Sequence, residues 1–484
     1  MQRQRKAPLW AALLDHVQSQ YDSFHVPGHK GGAGIPPELL TAWGRSVFSF
    51  DLTELPDLDN LHAPEGAILQ AETLAAELYR ARATFFLVGG TSSGLVAALL
   101  SSTRPGDKVL IPRHAHRAVL SACILGDLNP VFYSVRVNKE WGLPGGWDEA
   151  NAELLIRQNP SARALVLVHP TYHGLVGQTR RLIAAAHAAG LTVIADEAHG
   201  PHFYFHEGLP EGALELGADL VAQSVHKLLG SLTQSSWLHL AGPVPEPSRV
   251  REGLRWLESS SPSYLLLASL DLARRQAALT GHGDWEQTLE LARGLREGIG
   301  RVDGIQCLDA RAWPGVTAQD PTKLTLNVRS LGLSGREAAA FLRETHGIQV
   351  ELADAYNLLF VLTPADSLVK GQRLLDALTD LVCYQGGSRC PLALDLPDLP
   401  EPRVRLSPRS AVFAAKRKLA LEVACGRVAA QAVVPYPPGV PLLWPGEEIG
   451  PEVVEVVKAY YRAGIQIQGL EFRAAEHLVA VVEE

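Results

Sequence analysis

Between about Pro64 and Leu240, short apolar runs alternate with stretches of helical periodicity. This is the pattern of strands joined by helical crossovers into a mainly parallel sheet. The strand candidates are Lys108–Ile111, Ala164–Val168, Thr192–Ala195 and Leu220–Gln223, each short, branched and apolar, as a strand covered on both faces requires. Between them Thr179–Ala189 reads as a helix that stops at Gly190, where a left-handed cap costs little. The opening MQRQRKAPLWAALLDHV reads as an amphipathic helix, since its apolar stretch ends at Asp15. Downstream, SYLLLASLDLARRQAAL within Pro262–Gly281 predicts a helix leading out of the sheet, and a further helix from Trp285 to about Ile299 connects to a second unit. There Lys323–Val328, Ile348–Leu352 and Leu358–Leu362 read as strands around a helix at Gly335–Thr345, a small sheet with helices on one face. The Pro-rich stretch Cys390–Pro402 reads as a linker, and the chain from Arg403, with its turn-rich PYPPGVPLLWPGEE, as a third unit. The expected class is α/β, with an arm over 1–63, a major domain over 64–281, a small α+β domain over 282–390 and a C-terminal domain over 391–484.

A chain of 484 residues with 46% hydrophobic content can bury a large core. A net charge of −8 without a long basic run argues against nucleic acid as partner, because neutralising phosphates needs a concentrated basic surface. The apolar opening is too short for a signal-peptide core, and every later apolar run is interrupted by Arg, Asp, His or Pro, so no membrane association is expected. The five cysteines are scattered, odd in number and never in a CxxC pair, which fits a reducing compartment, the cytoplasm. Seventeen histidines raise the question of a metal, yet HExxH is absent, and His114 with His116 lacks an obvious third ligand. No metal is expected.

Four clusters carry candidate chemistry. VGGTSSG (Val88–Gly94) follows the apolar FFL and precedes the helical LVAALL, so its N–H groups and hydroxyls stand at a helix N-terminus, where an anion is stabilised. An ordinary helix cap has the same composition. Asp196 closes the strand at Thr192–Ala195, the end at which open α/β sheets bind ligands, and a carboxylate there suits a protonated ring nitrogen; a capping Asp explains the position as well. Lys227 follows the strand Leu220–Gln223 beside Ser224 and His226, and a desolvated amine at that point can attack an aldehyde. Most lysines are simply solvated. His116 opens a predicted helix after Lys108–Ile111, placed either to lie flat on a cofactor ring or to cap the helix. The order of phosphate turn, strand-end Asp and then Lys about thirty residues later is the logic of pyridoxal-phosphate enzymes with this architecture.

At these residues the chain resembles the bacterial ornithine/lysine/arginine decarboxylases, fold-type-I pyridoxal-phosphate enzymes, nearly end to end. The likeness is carried by FHVPGHKGG (Phe24–Gly32), DLTELPDLDNLHAPEG (Asp51–Gly66), HPTYHG (His169–Gly174), ADEAHGPHF (Ala195–Phe203), QSVHKLLGSLTQ (Gln223–Gln234), SPSYLLLASLD (Ser261–Asp271) and VVPYPPGVPLLWPGE (Val433–Glu447). The resemblance implies pyridoxal 5'-phosphate as cofactor, Lys227 as the lysine joined to it, Asp196 as partner of its ring nitrogen, and His116 and Ala198 packed on its two faces. It implies Ser92 and Ser93 as phosphate holders, Thr91 shaping the turn, and Ser224 and His226 beside the lysine. Gly89 stands where Asn is usual, and His114 and Ala118 replace the Asn and Ser that usually flank the stacked His.

The reaction so implied is decarboxylation of a basic amino acid: arginine to agmatine first, with lysine to cadaverine or ornithine to putrescine as alternatives. His226 or Lys227 itself could return the proton to the α-carbon. The substrate's distal cation needs a carboxylate, for which Glu351, Asp354 and Glu447 are candidates, each also readable as an ordinary acidic residue. The family's short members lack an N-terminal wing domain, so a homodimer is expected, with the active site at the subunit interface, FHVPGHKGG and Ser261 serving the partner's site, and further assembly of dimers open. A lyase or aminotransferase on the same fold is disfavoured by the PGHK and YPPGVP motifs. A catalytically dead binding or regulatory relative is disfavoured by the intact Lys227, Asp196 and His116.

Overall fold

Branched and apolar residues between turn-formers produce, among other strands, β1 (Ala83–Leu87), β2 (Lys108–Pro112), β3 (Asn129–Tyr133), β4 (Ala162–Val168), β5 (Thr192–Asp196), β6 (Leu220–Gln223) and β7 (Ser236–Leu240). The helices that matter to the site are α1 (Pro8–Gln18), α2 (Gly90–Ser102), α3 (Arg117–Gly126) and α4 (Tyr264–Ile299). The computed structural model describes residues 2–384, 401, 403–436, 440–462, 465–473 and 476–483. The linker expected over Cys390–Pro402 lies outside the described residues apart from position 401, as do residues 437–439 of the turn-rich motif. The chain divides into one unit of Met1–Ser102, Thr192–Glu207 and Glu211–Gly283 and another of Thr103–Leu191, Gly208–Pro210 and Asp284–Glu484.

In the first unit the strands run in the order β1-β7-β6-β5. β5 and β6 are parallel, with Asp196 opposite Ala222, whereas β7 is antiparallel to both β6 and β1. The amphipathic helix α1 buries Leu9 and Leu13 in a core with Leu58, Tyr79, Phe86, Val225, Trp237 and Tyr264. Its N-cap residue Ala7 offers no side-chain acceptor, so Asp271 Oδ2, from α4, takes the Leu9 and Trp10 N–H groups at 3.0 and 3.4 Å. Asp271 is held in turn by Arg274 at 2.8 Å, both side chains fully buried. The two helices predicted over Pro262–Ile299 are one, the 36-residue α4, which runs through Gly281 and Gly283. A helical glycine costs only about 1 kcal/mol, and on either side of these two the helix buries Leu267, Leu270, Trp285, Ala292 and Leu295.

In the second unit β2 pairs in parallel with both β3 and β4. The helix expected at Thr179–Ala189 spans Thr179–Ala188, and Gly190 adopts φ +75° just beyond it. The small sheet forms from Gln306–Cys307, Lys323–Asn327, Leu352–Ala353 and Asn357–Val361, antiparallel throughout, with helices Gly335–His346 and Leu368–Tyr384. The strand predicted at Ile348–Leu352 shrinks to Leu352–Ala353. Gly347 ends the preceding helix at φ +64°, and the Ile348 N–H is spent on Leu342 O at 3.0 Å instead of on a neighbouring strand. Nearer the C-terminus, helix Pro451–Arg462 buries Val453, Val454, Val456 and Val457 with Leu421, Leu443 and Val479.

Arg113 and Glu447, 334 positions apart, are buried together in the second unit. Their contact is bidentate, the second bond 2.9 Å long, and Arg113 also donates to Leu442 O at 2.6 Å and covers the Phe132 ring at 4.8 Å. Removing one partner would leave a buried charge uncompensated, a cost of roughly 3 kcal/mol. Glu447→Ala is therefore expected to lower the urea midpoint of unfolding by a corresponding amount; an unchanged midpoint would contradict this account of the pair.

Candidate active site

Because β5 and β6 run parallel, their carboxyl ends leave the sheet on the same edge. β5 is followed there by Glu197-Ala198-His199 and β6 by Ser224 and the short turn of helix Val225–Leu228 that carries His226 and Lys227. The two exits meet: Lys227 Nζ lies 2.8 Å from His199 Nε2, in a half-buried setting. His226 turns away, its Nδ1 donating to Ser235 O at 2.9 Å, since a carbonyl can only accept. Burial, helped by the charge of Lys227, lowers the pKa of His226 against the pull of that bond, so the ring favours its neutral form. His199 was not singled out from sequence, although its place three residues past a strand-end Asp, on the strand beside the lysine's, was a usable signal.

Asp196 is buried at 6% exposure and accepts the Ala198 N–H at 3.2 Å. Among the described residues no cation pairs with it. Its neighbour Glu197 is fully buried and receives the Ala213 N–H at 2.5 Å, the Gln223 amide at 2.6 Å and the Tyr204 hydroxyl at 2.7 Å. Burial outweighs those three donors and pushes the Glu197 acid up to about 8. Gln223 also binds His239 at 3.0 Å, and His239 binds Thr84 at 2.8 Å, so a buried polar chain runs under the site.

At the phosphate turn β1 leads through Val88 and Gly89 into α2, with Gly90 at φ +78°. Thr91 Oγ1 meets Ser224 Oγ at 2.6 Å and Ser236 Oγ at 3.0 Å, a buried trio that ties the turn to β7 and to the exit of β6. Ser92 is exposed at the helix start. Ser93 is buried, its hydroxyl 2.8 Å from Gly90 O and 2.5 Å from Glu258 Oε1.

In the second unit His116 is the N-cap of α3, and its Nδ1 accepts the Ala118 N–H at 3.2 Å. Neighbouring His114 is half-buried, and desolvation of its ring lowers it to about 4, so it is a neutral ring. Of the three acids considered for a distal cation, Glu447 is committed to Arg113 and the Trp444 N–H, and Asp354 is half-buried and bonded to Asn357 and Tyr356. Glu351 is exposed and holds the Tyr172 hydroxyl at 2.6 Å. Among the described residues one group of three metal-type donors lies within 4.8 Å of one another, His206, Glu207 and His282, and it includes none of the residues singled out from sequence.

The residues of the first unit fit a pyridoxal-type group on their own chemistry. A buried carboxylate without a cation calls for a positively charged N–H, an amine held by an imidazole suits an aldehyde, and a helix start lined with hydroxyls suits a phosphate.

Comparison with known proteins places two family descriptions on the chain: "Orn/Lys/Arg decarboxylase, major domain" over residues 7–370 and "Orn/Lys/Arg decarboxylase, C-terminal domain" over residues 399–472. It is similar to an arginine decarboxylase of Bacillus subtilis, 38% identical across 99% of each chain. Among solved structures, a lysine decarboxylase of Francisella novicida matches with a TM-score of 0.87 at 22% identity, over 98% of this chain and 81% of that one. A serine palmitoyltransferase solved with PLP matches at 0.51 and 17% identity, over 65% of this chain and 76% of that one. At such identities the structures speak for the fold alone, α/β with a mainly parallel sheet.

Between the ordinary carboxyl value of 4.5 and about 8, folded Glu197 keeps a proton that the unfolded chain has released, so stability falls with pH across that window and levels off above it. Glu197→Gln removes this slope. Melting temperatures of the two proteins across the window are expected to converge as pH rises, the wild type losing its lead; parallel profiles would contradict the shift.

Proposed function

The chain belongs to the Orn/Lys/Arg decarboxylase family, and from that premise we propose that it converts arginine to agmatine and carbon dioxide with pyridoxal 5'-phosphate as cofactor. Lysine to cadaverine and ornithine to putrescine are the alternatives within the same chemistry. One observation carries the reading at the site: the amine of Lys227 and the imidazole of His199 meet at 2.8 Å on the edge of the sheet where buried Asp196 lacks a cation. Arginine is favoured by the 38% identity to the Bacillus subtilis arginine decarboxylase along 99% of both chains.

When bound, the cofactor supplies an electron sink for the pair released as the carboxylate departs. The chain's own residues do the rest. His199 Nε2 takes a proton from Lys227 Nζ, leaving the neutral amine that attack on an aldehyde requires. Asp196 offers a negative oxygen to a ring N–H and keeps that proton in place, while Ala198 is small enough to let a flat ring approach. Ser92 and the first N–H groups of α2 take the phosphate, with Thr91, Ser224 and Ser236 fixing the turn's shape; Ser93, expected from sequence beside Ser92, turns its hydroxyl to Gly90 O and Glu258 and helps from within the turn. The family resemblance assigns His116, the N-cap of α3, to the ring's other face, and His226, neutral and tethered to Ser235, packs beside the lysine. His199, having taken that proton, would be an acid able to return one to the α-carbon, directly or through Lys227, a role the sequence offered to His226 or Lys227.

Among the described residues no helix is long and apolar enough to cross a membrane. A cytoplasmic homodimer, with its active site shared across the subunit interface, completes the proposal, as does the division into an arm, a major domain and two C-terminal domains.

Incubation with arginine, lysine and ornithine in parallel, followed by identification of the amine formed, is expected to give agmatine in excess. Cadaverine or putrescine in its place would shift the substrate, and no amine from any of the three would overturn the reading. His199→Gln is expected to lower kcat by about a hundredfold with little change in KM; an unaffected kcat would remove His199 from the proton path.

A further inference from the structure

A carboxylic acid stands inside the turn assigned to the phosphate, and neither the proposed reaction nor the sequence motifs use it. Glu258, buried at 8% exposure just past helix Pro247–Arg255, accepts the Val88 N–H through Oε2 at 3.1 Å. Its Oε1 sits 2.5 Å from Ser93 Oγ. It reaches this place because position 89 is glycine. A Cβ there would lie 3.0 Å from Glu258 Oε1 and 2.9 Å from Ser93 Oγ. Gly89 does not have the positive φ of Gly90, so space rather than backbone conformation calls for glycine at 89.

We propose that Glu258 is a positioning residue of the phosphate turn, holding Val88, Gly89 and Ser93 in the shape that leaves Ser92 and the first N–H groups of α2 open to phosphate. The inference rests on the cofactor reading above. The hydrogen-bond pattern suits the acid form of Glu258. Ser93 has one proton and two acceptors, Gly90 O at 2.8 Å and Glu258 Oε1, and a proton on Oε1 satisfies both. Burial raises the Glu258 acid in the same direction, against the Ser93, Val88 and Gly89 bonds and the charge of His62. A neutral acid also spares the phosphate a like charge at close range. Glutamine would reproduce the pattern, its amide donating to Ser93 and its carbonyl accepting from Val88.

The test compares binding of pyridoxal phosphate and of pyridoxal, which lacks the phosphate, to the cofactor-free full-length protein by visible absorbance. Glu258→Ala is expected to weaken pyridoxal phosphate roughly tenfold while leaving pyridoxal within about twofold, the loss of one or two buried hydrogen bonds. Glu258→Gln is expected to restore wild-type binding, and Gly89→Ala to weaken pyridoxal phosphate selectively without removing any existing side chain. Equal weakening of both ligands, or no weakening by Glu258→Ala and Gly89→Ala, would overturn the role of Glu258. If the wild type itself bound both ligands alike, the phosphate reading of the turn would fall instead.

Discussion

The parallel pairing of β5 with β6 is the constraint on which the site depends. Two parallel neighbours must end on the same edge of a sheet, so an acid closing one and a lysine following the other leave the core together. The register sets Asp196 opposite Ala222, which lets the next residues of each exit, His199 and Lys227, come within hydrogen-bond distance. Antiparallel β7 then supplies Ser236, which with Thr91 and Ser224 joins the turn after β1 to the exit of β6. Three separated stretches of chain thus share one edge through backbone pairing, which side-chain hydrogen bonds then tie together.

Building such an edge means burying polar groups that a purely structural core would exclude. Glu197, Gln223, His239 and Thr84 form a continuous chain of hydrogen bonds beneath the site, and burial drives each titratable member toward its neutral form, Glu197 upward and His239 down to about 3. A neutral chain costs less to bury than an ionised one, and satisfied partners hold the strand ends rigid. Asp196 is different: it is buried without a cation, a local cost that a bound cationic ring would offset.

Much of this was legible in the residues. Strands β2, β4, β5 and β6 follow from short branched runs, and Asp196, Lys227 and the Val88–Gly94 turn sit at ends that the α/β pattern marks for ligands. Less legible were β1, β3 and β7, whose aromatic and polar members (Phe85, Phe132, His239) blur the apolar run, and the unbroken α4, whose glycines read as a stop. Contacts between distant stretches were out of reach. Arg113 with Glu447 is a pairing across 334 positions that no local pattern announces, and it removes Glu447 from the acids open to a substrate. Glu258 escaped the sequence for the same reason, since its meaning depends on the space left by Gly89, far earlier in the chain. His199 lay within a quoted motif, but its contact follows from strand order, which the motif does not state.

The central claim is that one amine, that of Lys227, joins the cofactor. Borohydride reduction of the cofactor-loaded protein, followed by proteolysis and mass spectrometry, reads this directly. The account predicts a phosphopyridoxyl group on the peptide containing Lys227. Label on a different lysine, or no label on a protein that retains its decarboxylase activity, would contradict it.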